Sequence, residues 1–231
     1  MILLATDTSG KNGSIALARV PDAPPDRCLE ILEVIPLAGG TFSAQLIPQI
    51  SALLSKQGFT KQDIGGFAVA SGPGSFTGLR VGLAAIKALA EILHKPIAAV
   101  SLLEAVARSA KSGGRVLAAL DAGRGEVYVG DYEIAGSARM RSERLVTRAD
   151  FLAEAGGSLV VTPDAGLAHS AREAGLNVNV EEVPSPASDA IARLGWEKIQ
   201  AGETITPDEL EANYIRRPDA EIFAKPRADS A

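Results

Sequence analysis

The sequence predicts an α/β protein built from two related halves. Two similar segments, "LLATDTSGKNGSIALA" and "VLAALDAGRGEVYVG", each have the pattern of a strand that ends in Asp, a turn and a second strand. They lie about half the chain apart, which is the spacing of an internal duplication. Between and after them, short apolar runs alternate with segments whose apolar residues recur at helical spacing. We therefore expect two halves that face each other, each with a sheet covered by helices.

Composition limits the class of protein and of partner. The 231 residues suffice for one large or two small domains, and aromatic residues are only 4%, so the core must be built from Ala, Val, Leu and Ile. Lysine and arginine number 23 against 28 acidic residues, which predicts that any nucleic acid is contacted only indirectly, through a partner. Cys28 is the single cysteine, so neither a disulfide nor a thiolate metal site is expected within the chain. The start "MILLATDTSG" has no basic segment, and no apolar run could span a membrane, which favours the cytoplasm.

The first half is predicted element by element from its periodicity. A β-meander is expected from "MILLATDT", "GSIALARV" and "CLEILEVIPL", with the turn "PDAPPD" between the last two. Apolar residues at helical spacing predict helices over Thr41–Gln57, which Gly58 ends, and over Thr77–His94, which Pro96 ends. The buried strand "GGFAVASG" lies between these helices, and "PIAAV" and "SLLEAVARSA" follow as a strand and a helix.

The second half repeats this alternation in shorter elements. Strands are expected at "RVLAALDAG", "EVYVGDYEI" and "SLVVTPDAG", helices at "RADFLAEAG" and "LAHSAREAG", and extended chain at "NVNVEEVPSP". We expect a first lobe of residues 1–100 and a smaller second lobe of residues 101–187. A helix over Ser188–Ala201, capped by Ser188, is expected to pack back on the first lobe, and residues 221–231 are expected to form a frayed tail.

The stretch "SGPGSFTG", Ser71–Gly78, resembles a phosphate-binding loop that opens a helix. Backbone N–H groups, glycines and a helix N-terminus together favour an anion. The loop is neither a Walker A sequence nor G-x-G-x-x-G, so a tight strand-to-helix turn is the structural alternative. If a nucleotide binds, the two strand-ending aspartates should lie near its phosphates or its Mg²⁺. The candidate nucleotide-binding residues are Asp7, Thr8, Ser9, Gly72, Gly74, Ser75 and Asp121.

The two long helices carry more apolar or small residues than a half-covered helix requires. Gly78, Gly82 and Ala85 lie on one helical face, and a glycine inside a helix costs about 1 kcal/mol relative to alanine. Small faces allow another helix to approach closely, either inside the protein or in a partner. The residues predicted for a partner interface are Leu46, Ile50, Leu53, Leu54, Gly82, Ala85, Ile86 and Leu89.

Catalytic and metal-ligating patterns are not found in the sequence. His94 and His169 belong to no H-x-x-x-H or H-E-x-x-H motif, and Ser75 has no His and acid following in triad order. We therefore expect no metal site, no cofactor, and no appreciable ATPase or peptidase activity from the chain alone.

Four segments in order carry a family resemblance: "LLATDTSG", "SGPGSFTGLRVGL", "LDAGRGEVY" and "EANYIRRP". Over nearly the whole chain they resemble the bacterial TsaB (YeaZ) family. The resemblance implies a two-lobed actin-like ATPase (ASKHA, ribonuclease H-like) fold with a reduced second lobe. It also implies a role in making threonylcarbamoyladenosine in tRNA, as the partner of a catalytic paralogue, TsaD, with the ATPase TsaE completing the assembly.

One departure from the family bears on activity. Related chains carry His in a His-Ser-x-x-Leu-x-Pro stretch where this one has Phe42 in "FSAQLIP", and an apolar ring cannot ligate a metal. The first hypothesis is a non-catalytic scaffold subunit that binds a TsaD-like subunit, or a second copy of itself when that subunit is absent. The alternative is a nucleotide-binding or weakly hydrolysing ATPase of the same fold. Nucleotide titration of the isolated chain separates the two.

Overall fold

Two five-stranded sheets form the framework of the protein, and both have the same strand order. The computed structural model describes residues 1–20, 29–174 and 178–216. The first sheet contains β1 (Ile2–Asp7), β2 (Gly13–Arg19), β3 (Glu30–Leu37), β4 (Ile64–Gly72) and β5 (Ile97–Ser101). The second contains β6 (Gly114–Gly123), β7 (Glu126–Ala135), β8 (Ser137–Thr147), β9 (Leu159–Thr162) and β10 (Asn179–Glu182). The orders β3-β2-β1-β4-β5 and β8-β7-β6-β9-β10 correspond strand for strand, which confirms the predicted duplication.

Helices occupy equivalent places in the two halves. In each sheet three antiparallel strands are followed by two parallel ones, and parallel neighbours require a crossover connection. The crossovers are α1 (Phe42–Lys56) and α2 (Phe76–Leu93) in the first half, and α4 (Arg148–Glu154) and α5 (Ala165–Glu173) in the second. The predicted helices are confirmed, and those of the second half are much shorter.

Close packing of small side chains holds α6 (Ser188–Ala201) on the first sheet. An ideal Cβ added at Gly195 would lie 2.3 Å from the Cβ of Ala68, so only glycine allows this approach. On the other face of the same sheet, α1 and α2 cover an apolar core that includes Phe67 and Leu53. The remaining helix, α3 (Leu102–Ala107), follows β5 directly and packs on the second sheet through Leu103 and other residues.

Some local features of the chain were not predicted, differ from the prediction or lie outside the described residues. Strand β8 was not predicted, and Ser188 is not the cap of α6: Ala187 occupies the N-cap position, while the Ser188 N–H donates to Ser14 Oγ at 2.9 Å. The turn "PDAPPD" and the tail 221–231 lie outside the described residues. The lobe boundaries, 1–100 and 101–187, stay a prediction. No helix in the described part of the chain is long and apolar enough to cross a bilayer.

Candidate functional site

A buried carboxylate stands at the end of the first strand. Asp7 terminates β1, and its Oδ1 accepts hydrogen bonds from the Ser9 backbone N–H at 2.9 Å and from the Ser9 hydroxyl at 2.5 Å. The side chain is almost completely buried. Burial raises the pKa of the Asp7 carboxyl above its ordinary value, and the two hydrogen bonds from Ser9 offset this only in part. A perturbed carboxylate in a cleft is typical of functional sites.

The loop before α2 is packed against this first turn. Thr8 Oγ1 donates to the Gly78 carbonyl at 2.8 Å, and the Ser75 N–H donates to the Ser9 carbonyl at 2.6 Å. Ser75 also caps α2, because its hydroxyl accepts from the Gly78 N–H at 3.3 Å. Two donors that a phosphate would use at a helix N-terminus are thus bonded within the chain.

The glycines of the loop and of α2 allow this close contact with the turn after β1. An ideal Cβ would lie 2.5 Å from the Ser9 carbonyl oxygen at Gly74, 2.0 Å from the Thr8 carbonyl oxygen at Gly78, and 2.3 Å from Thr8 Oγ1 at Gly82. Each distance is shorter than any side chain tolerates. The spacing of the glycines is therefore explained by the close approach of the chain's own turn, in agreement with the strand-to-helix alternative.

The second half contributes the opposite wall through the end of β6. Asp121 is exposed; its N–H donates to Asp164 Oδ2 at 2.8 Å, and its Oδ1 accepts from the Gly123 N–H at 3.2 Å. The guanidinium of Arg148 lies 3.8 Å from the same carboxylate. Asp121 thus shapes the β6–β7 turn and also faces the space between the two halves.

A cleft between the halves joins these features. Its larger cavity, of about 550 Å³, is lined by Ser9, Gly74, Ser75 and Asp121 among others. An adjoining cavity of about 530 Å³ brings Asp7 to the same cleft. Five of the seven predicted nucleotide-binding residues therefore line one cleft between the two sheets.

Two of the predicted residues, Thr8 and Gly72, do not line either cavity, and their part in nucleotide binding stays a prediction. The Thr8 hydroxyl points to α2, where it bonds Gly78. Gly72 is buried under the C-terminal segment: its ideal Cβ would lie 3.1 Å from the Asn213 carbonyl oxygen. Both residues contact other parts of the chain behind the cleft wall.

Other residues of the cleft were missed by the sequence analysis. Lys11 and Arg216 add positive charge, and Tyr128, Phe42 and Val81 form an apolar wall. Arg216 belongs to the segment "EANYIRRP", which carried the resemblance but has no periodicity that would place it. Phe42 begins α1 and lies over Gly13, where an added Cβ would approach its ring to 2.8 Å.

The cleft is lined by side chains of both charges, Lys11 and Arg216 on one hand and Asp7 and Asp121 on the other, and the described residues hold no evident hydrolytic apparatus. No group of three or more His, Cys, Asp or Glu residues among them is arranged to hold a metal ion. His94 ends α2, and the exposed His169 pairs with Glu173 at 3.3 Å on α5; neither lines the two cavities.

Burial of Asp7 leads to a pH-dependent prediction. We expect Asp7→Asn to raise the free energy of unfolding at pH 7, by about 1 kcal/mol or more, since it removes a charge that burial disfavours. The unfolded carboxyl titrates near pH ~4 and the folded one at higher pH, so the wild type loses stability as the pH rises through that window. The extra stability of Asp7→Asn over the wild type should therefore disappear below pH ~4.

Urea unfolding at a series of pH values measures this effect. The control is Asp208→Asn, at an exposed aspartate on the segment after α6, which should leave stability unchanged at every pH. A wild type as stable as Asp7→Asn at pH 7 would contradict the inference that burial disfavours the charged form of the Asp7 carboxyl.

The predicted partner residues are mostly internal. Leu46, Ile50, Leu53, Leu54, Gly82 and Ile86 are buried in the core between α1, α2 and the first sheet. They are not available at the surface, and their assignment to an interface is corrected accordingly. Ala85 and Leu89 are half-buried at the edge of that core. The reason is that one stripe of each helix must cover the sheet, and the largest apolar side chains occupy it.

A different set of apolar residues on the same helices is exposed. Ile47 on α1 is 49% exposed and Ile92 on α2 is 67% exposed. Other exposed or half-buried residues, most of them small, share the same sides of the two helices. They are Ala44, Pro48, Ser51, Val81, Ala84, Ala85, Ala88 and Leu89. We name these ten residues the α1–α2 face.

The fold and the cleft define the class of the protein. Two sheets of corresponding strand order, with a cleft lined from the turns after β1 and β6, form the actin-like, ribonuclease H-like α/β architecture. The structure described as YeaZ from Pseudomonas aeruginosa has this fold: it superposes with a TM-score of 0.70 at 23% identity, over 92% of this chain and 99% of that one.

Sequence comparisons define the family. A family model described as TsaD, tRNA N6-adenosine threonylcarbamoyltransferase, matches residues 35–192. The tRNA threonylcarbamoyladenosine biosynthesis protein TsaB of Escherichia coli is 29% identical over 94% of this chain and 95% of its own length. That of Bacillus subtilis is 37% identical, over 58% of this chain and 56% of its own length. The chain belongs to the TsaB (YeaZ) family.

Proposed function

We propose that the chain is a non-catalytic partner subunit of the cytoplasmic complex that makes threonylcarbamoyladenosine in tRNA. It binds a TsaD-like catalytic subunit, with a TsaE-like ATPase as a further member of the assembly. The observation that carries this proposal is the α1–α2 face, where Ile47 and Ile92 stand exposed among small residues. Family membership supports the pathway, because the named relatives are threonylcarbamoyladenosine biosynthesis proteins.

The composition of the face supports a helical partner. Alanine and serine side chains let two helices approach closely, while Ile47 and Ile92 provide apolar area to bury. Large exposed aliphatic side chains grouped on one surface are typical of interaction sites. The face fits the equivalent helix pair of a TsaD-like subunit, so that the two pairs form a four-helix bundle. A second copy of the chain occupies it when that subunit is absent.

The charge of the chain argues for an indirect role toward tRNA. Its net charge is −5, and tRNA binding requires a basic surface. The positively charged tRNA contacts are therefore assigned to the partner subunits.

The alternative function is nucleotide binding in the cleft, and it rests on the placement of Asp7, Ser75 and Asp121 around the cavities. Against it, the loop N–H of Ser75 and that of Gly78 are already bonded within the chain. Calorimetric titration of the isolated chain with ATP and Mg²⁺ distinguishes the two functions, because the scaffold is expected to bind weakly or not at all.

Light scattering of the purified chain mixed with a TsaD-like subunit tests the proposed function. We expect a complex of one copy of each, formed at the expense of any homodimer. Two separate species at micromolar concentration of both proteins would contradict the proposal.

A further inference from the structure

The chain crosses between its two halves at two neighbouring places. The first crossing is Ser101, where β5 passes directly into α3, and the second is the connection from β10 to α6. Ion pairs tie α3 to α6: Arg108 to Glu197 at 2.9 Å and Lys198 to Glu104 at 3.2 Å. A rotation of one half relative to the other would have its axis at these two connections, and we name this place the hinge.

A third link crosses the cleft without belonging to either sheet. After α6 the chain runs back along the first half, where the Ile205 N–H donates to the Ile97 carbonyl at 2.9 Å. Its last four described residues, Asn213–Arg216, then contact both halves. We name them the strap.

The strap is fastened to the first half at the start of α2. The Asn213 N–H donates to the Ser71 carbonyl at 2.7 Å. The Tyr214 ring lies 5.0 Å from the ring of Phe76, and its hydroxyl accepts from Arg80 Nε at 3.3 Å. The Arg80 guanidinium lies 3.8 Å over the Phe76 ring, which completes a stacked cluster on the first turns of α2.

Arg216 fastens the strap to the hairpin of the second half. Its guanidinium forms an ion pair with Glu126 at the start of β7 and donates to the Gly123 carbonyl at 3.4 Å. The same group lies 5.8 Å from the Tyr128 ring centroid. These contacts lie on the hairpin that carries Asp121, so the strap reaches the opposite wall of the cleft.

A second fastening on the other side of the strap involves Glu143 of β8. Its Oε2 accepts from Asn213 Nδ2, and its Oε1 accepts from the hydroxyls of Tyr132 and of Ser101 at the hinge. Burial and the negative charge of Glu143 raise the pKa of Tyr132, which keeps the phenol protonated as a donor. One carboxylate thus joins the strap, the hinge and the second sheet.

We propose that Asn213–Arg216 is an interlobe strap, a conformational device that holds the cleft at one opening and couples the position of α2 to that of the second sheet. The Asn213 fastening lies beside the hinge. The Arg216 fastening lies at the opposite wall of the cleft, on the β6–β7 hairpin, where it opposes rotation of the two halves. A displacement of α2 is passed to the hairpin through Tyr214 and Arg216. This inference does not depend on the proposed function, because it concerns only the chain itself.

Distance measurement between spin labels tests the strap. In a Cys28→Ser background, labels at Ser55→Cys on α1 and Ala165→Cys on α5 report the separation of the halves. Both positions are exposed. We expect one narrow distance distribution with the strap intact, and a broadened or displaced one in the variant Asn213→Ala/Arg216→Ala. A second label pair, Ser55→Cys and Glu91→Cys within the first half, should not change.

The matched control is Arg172→Ala, which also removes an arginine–glutamate pair, at 3.5 Å from Glu182, but one that lies within the second half. If circular dichroism shows that the double variant does not fold, the label distances are measured instead in the single variant Arg216→Gln, which changes a partly exposed side chain. An interlobe distribution in the strap variants identical to that of the wild type would overturn the proposal. Equal broadening in Arg172→Ala would also overturn it.

Discussion

Ile47→Arg together with Ala88→Arg is expected to abolish binding to a TsaD-like subunit while the chain stays folded. Both positions are exposed in the isolated chain, so arginine there can remain hydrated and leaves the core unaltered. In a helix-to-helix interface the same arginines would be buried without a partner, which costs several kcal/mol. A loss of about 3 kcal/mol raises the dissociation constant by more than 100-fold. Size-exclusion chromatography with light scattering measures the outcome.

The control for this pair is Ala165→Arg, which places the same side chain at an exposed position of α5 in the second half. It should bind as the wild type does, and circular dichroism should give the same spectrum for all three proteins. A complex that survives both substitutions would mean that the interface lies away from the α1–α2 face.

Gly78→Ala is expected to cause a large loss of stability for the addition of a single methyl group. The new Cβ would lie 2.0 Å from the carbonyl oxygen of Thr8, which is backbone and cannot rotate away. The turn after β1 must then separate from α2, and overpacking of this kind costs about 1–3 kcal/mol or more. We expect the cost of the clash to outweigh the gain of about 1 kcal/mol in helix propensity when alanine replaces glycine. Thermal unfolding should show a midpoint lower by about 2–4 °C per kcal/mol lost.

Gly166→Ala in α5 is the matched control, because its ideal Cβ has no other atom within 4 Å. It should raise the midpoint slightly through helix propensity alone. If Gly78→Ala were as stable as Gly166→Ala, the account of the loop as a close contact with the first turn would be wrong.

The duplicated sheets could be predicted because their signals are local. A strand that ends in Asp before a turn occurs twice, at Asp7 and Asp121, and apolar spacing of 3.6 residues marks α1 and α2. Strand β8 could not be predicted in this way. It is an edge strand with three arginines, two serines and one glutamate, half-exposed on both faces, and it is extended because β7 pairs with it.

Long-range contacts explain the other differences. The Ser188 N–H bonds Ser14, 174 positions away, so no local rule reveals that Ser188 does not cap α6. The glycine spacing indicated that another group comes close to the backbone of the loop before α2, either a phosphate or another part of the chain. Only the structure shows that this group is Thr8. Helical periodicity gives an apolar stripe without saying whether a sheet or another protein covers it, which is why Leu53 was assigned to an interface. The strap has no periodicity and becomes visible only through its contacts.

The most direct test of the proposed role is the formation of threonylcarbamoyladenosine in unmodified tRNA by purified TsaD-like and TsaE-like subunits, with and without this chain. The threonylcarbamoyl-adenylate donor is supplied, and modified nucleoside is measured by mass spectrometry. The account predicts that modification requires the chain and that Ala165→Arg supports it fully. It further predicts that Ile47→Arg/Ala88→Arg does not support it. Equal modification without the chain, or with the face variant at wild-type level, would contradict the proposal that the chain acts as a partner subunit through the α1–α2 face.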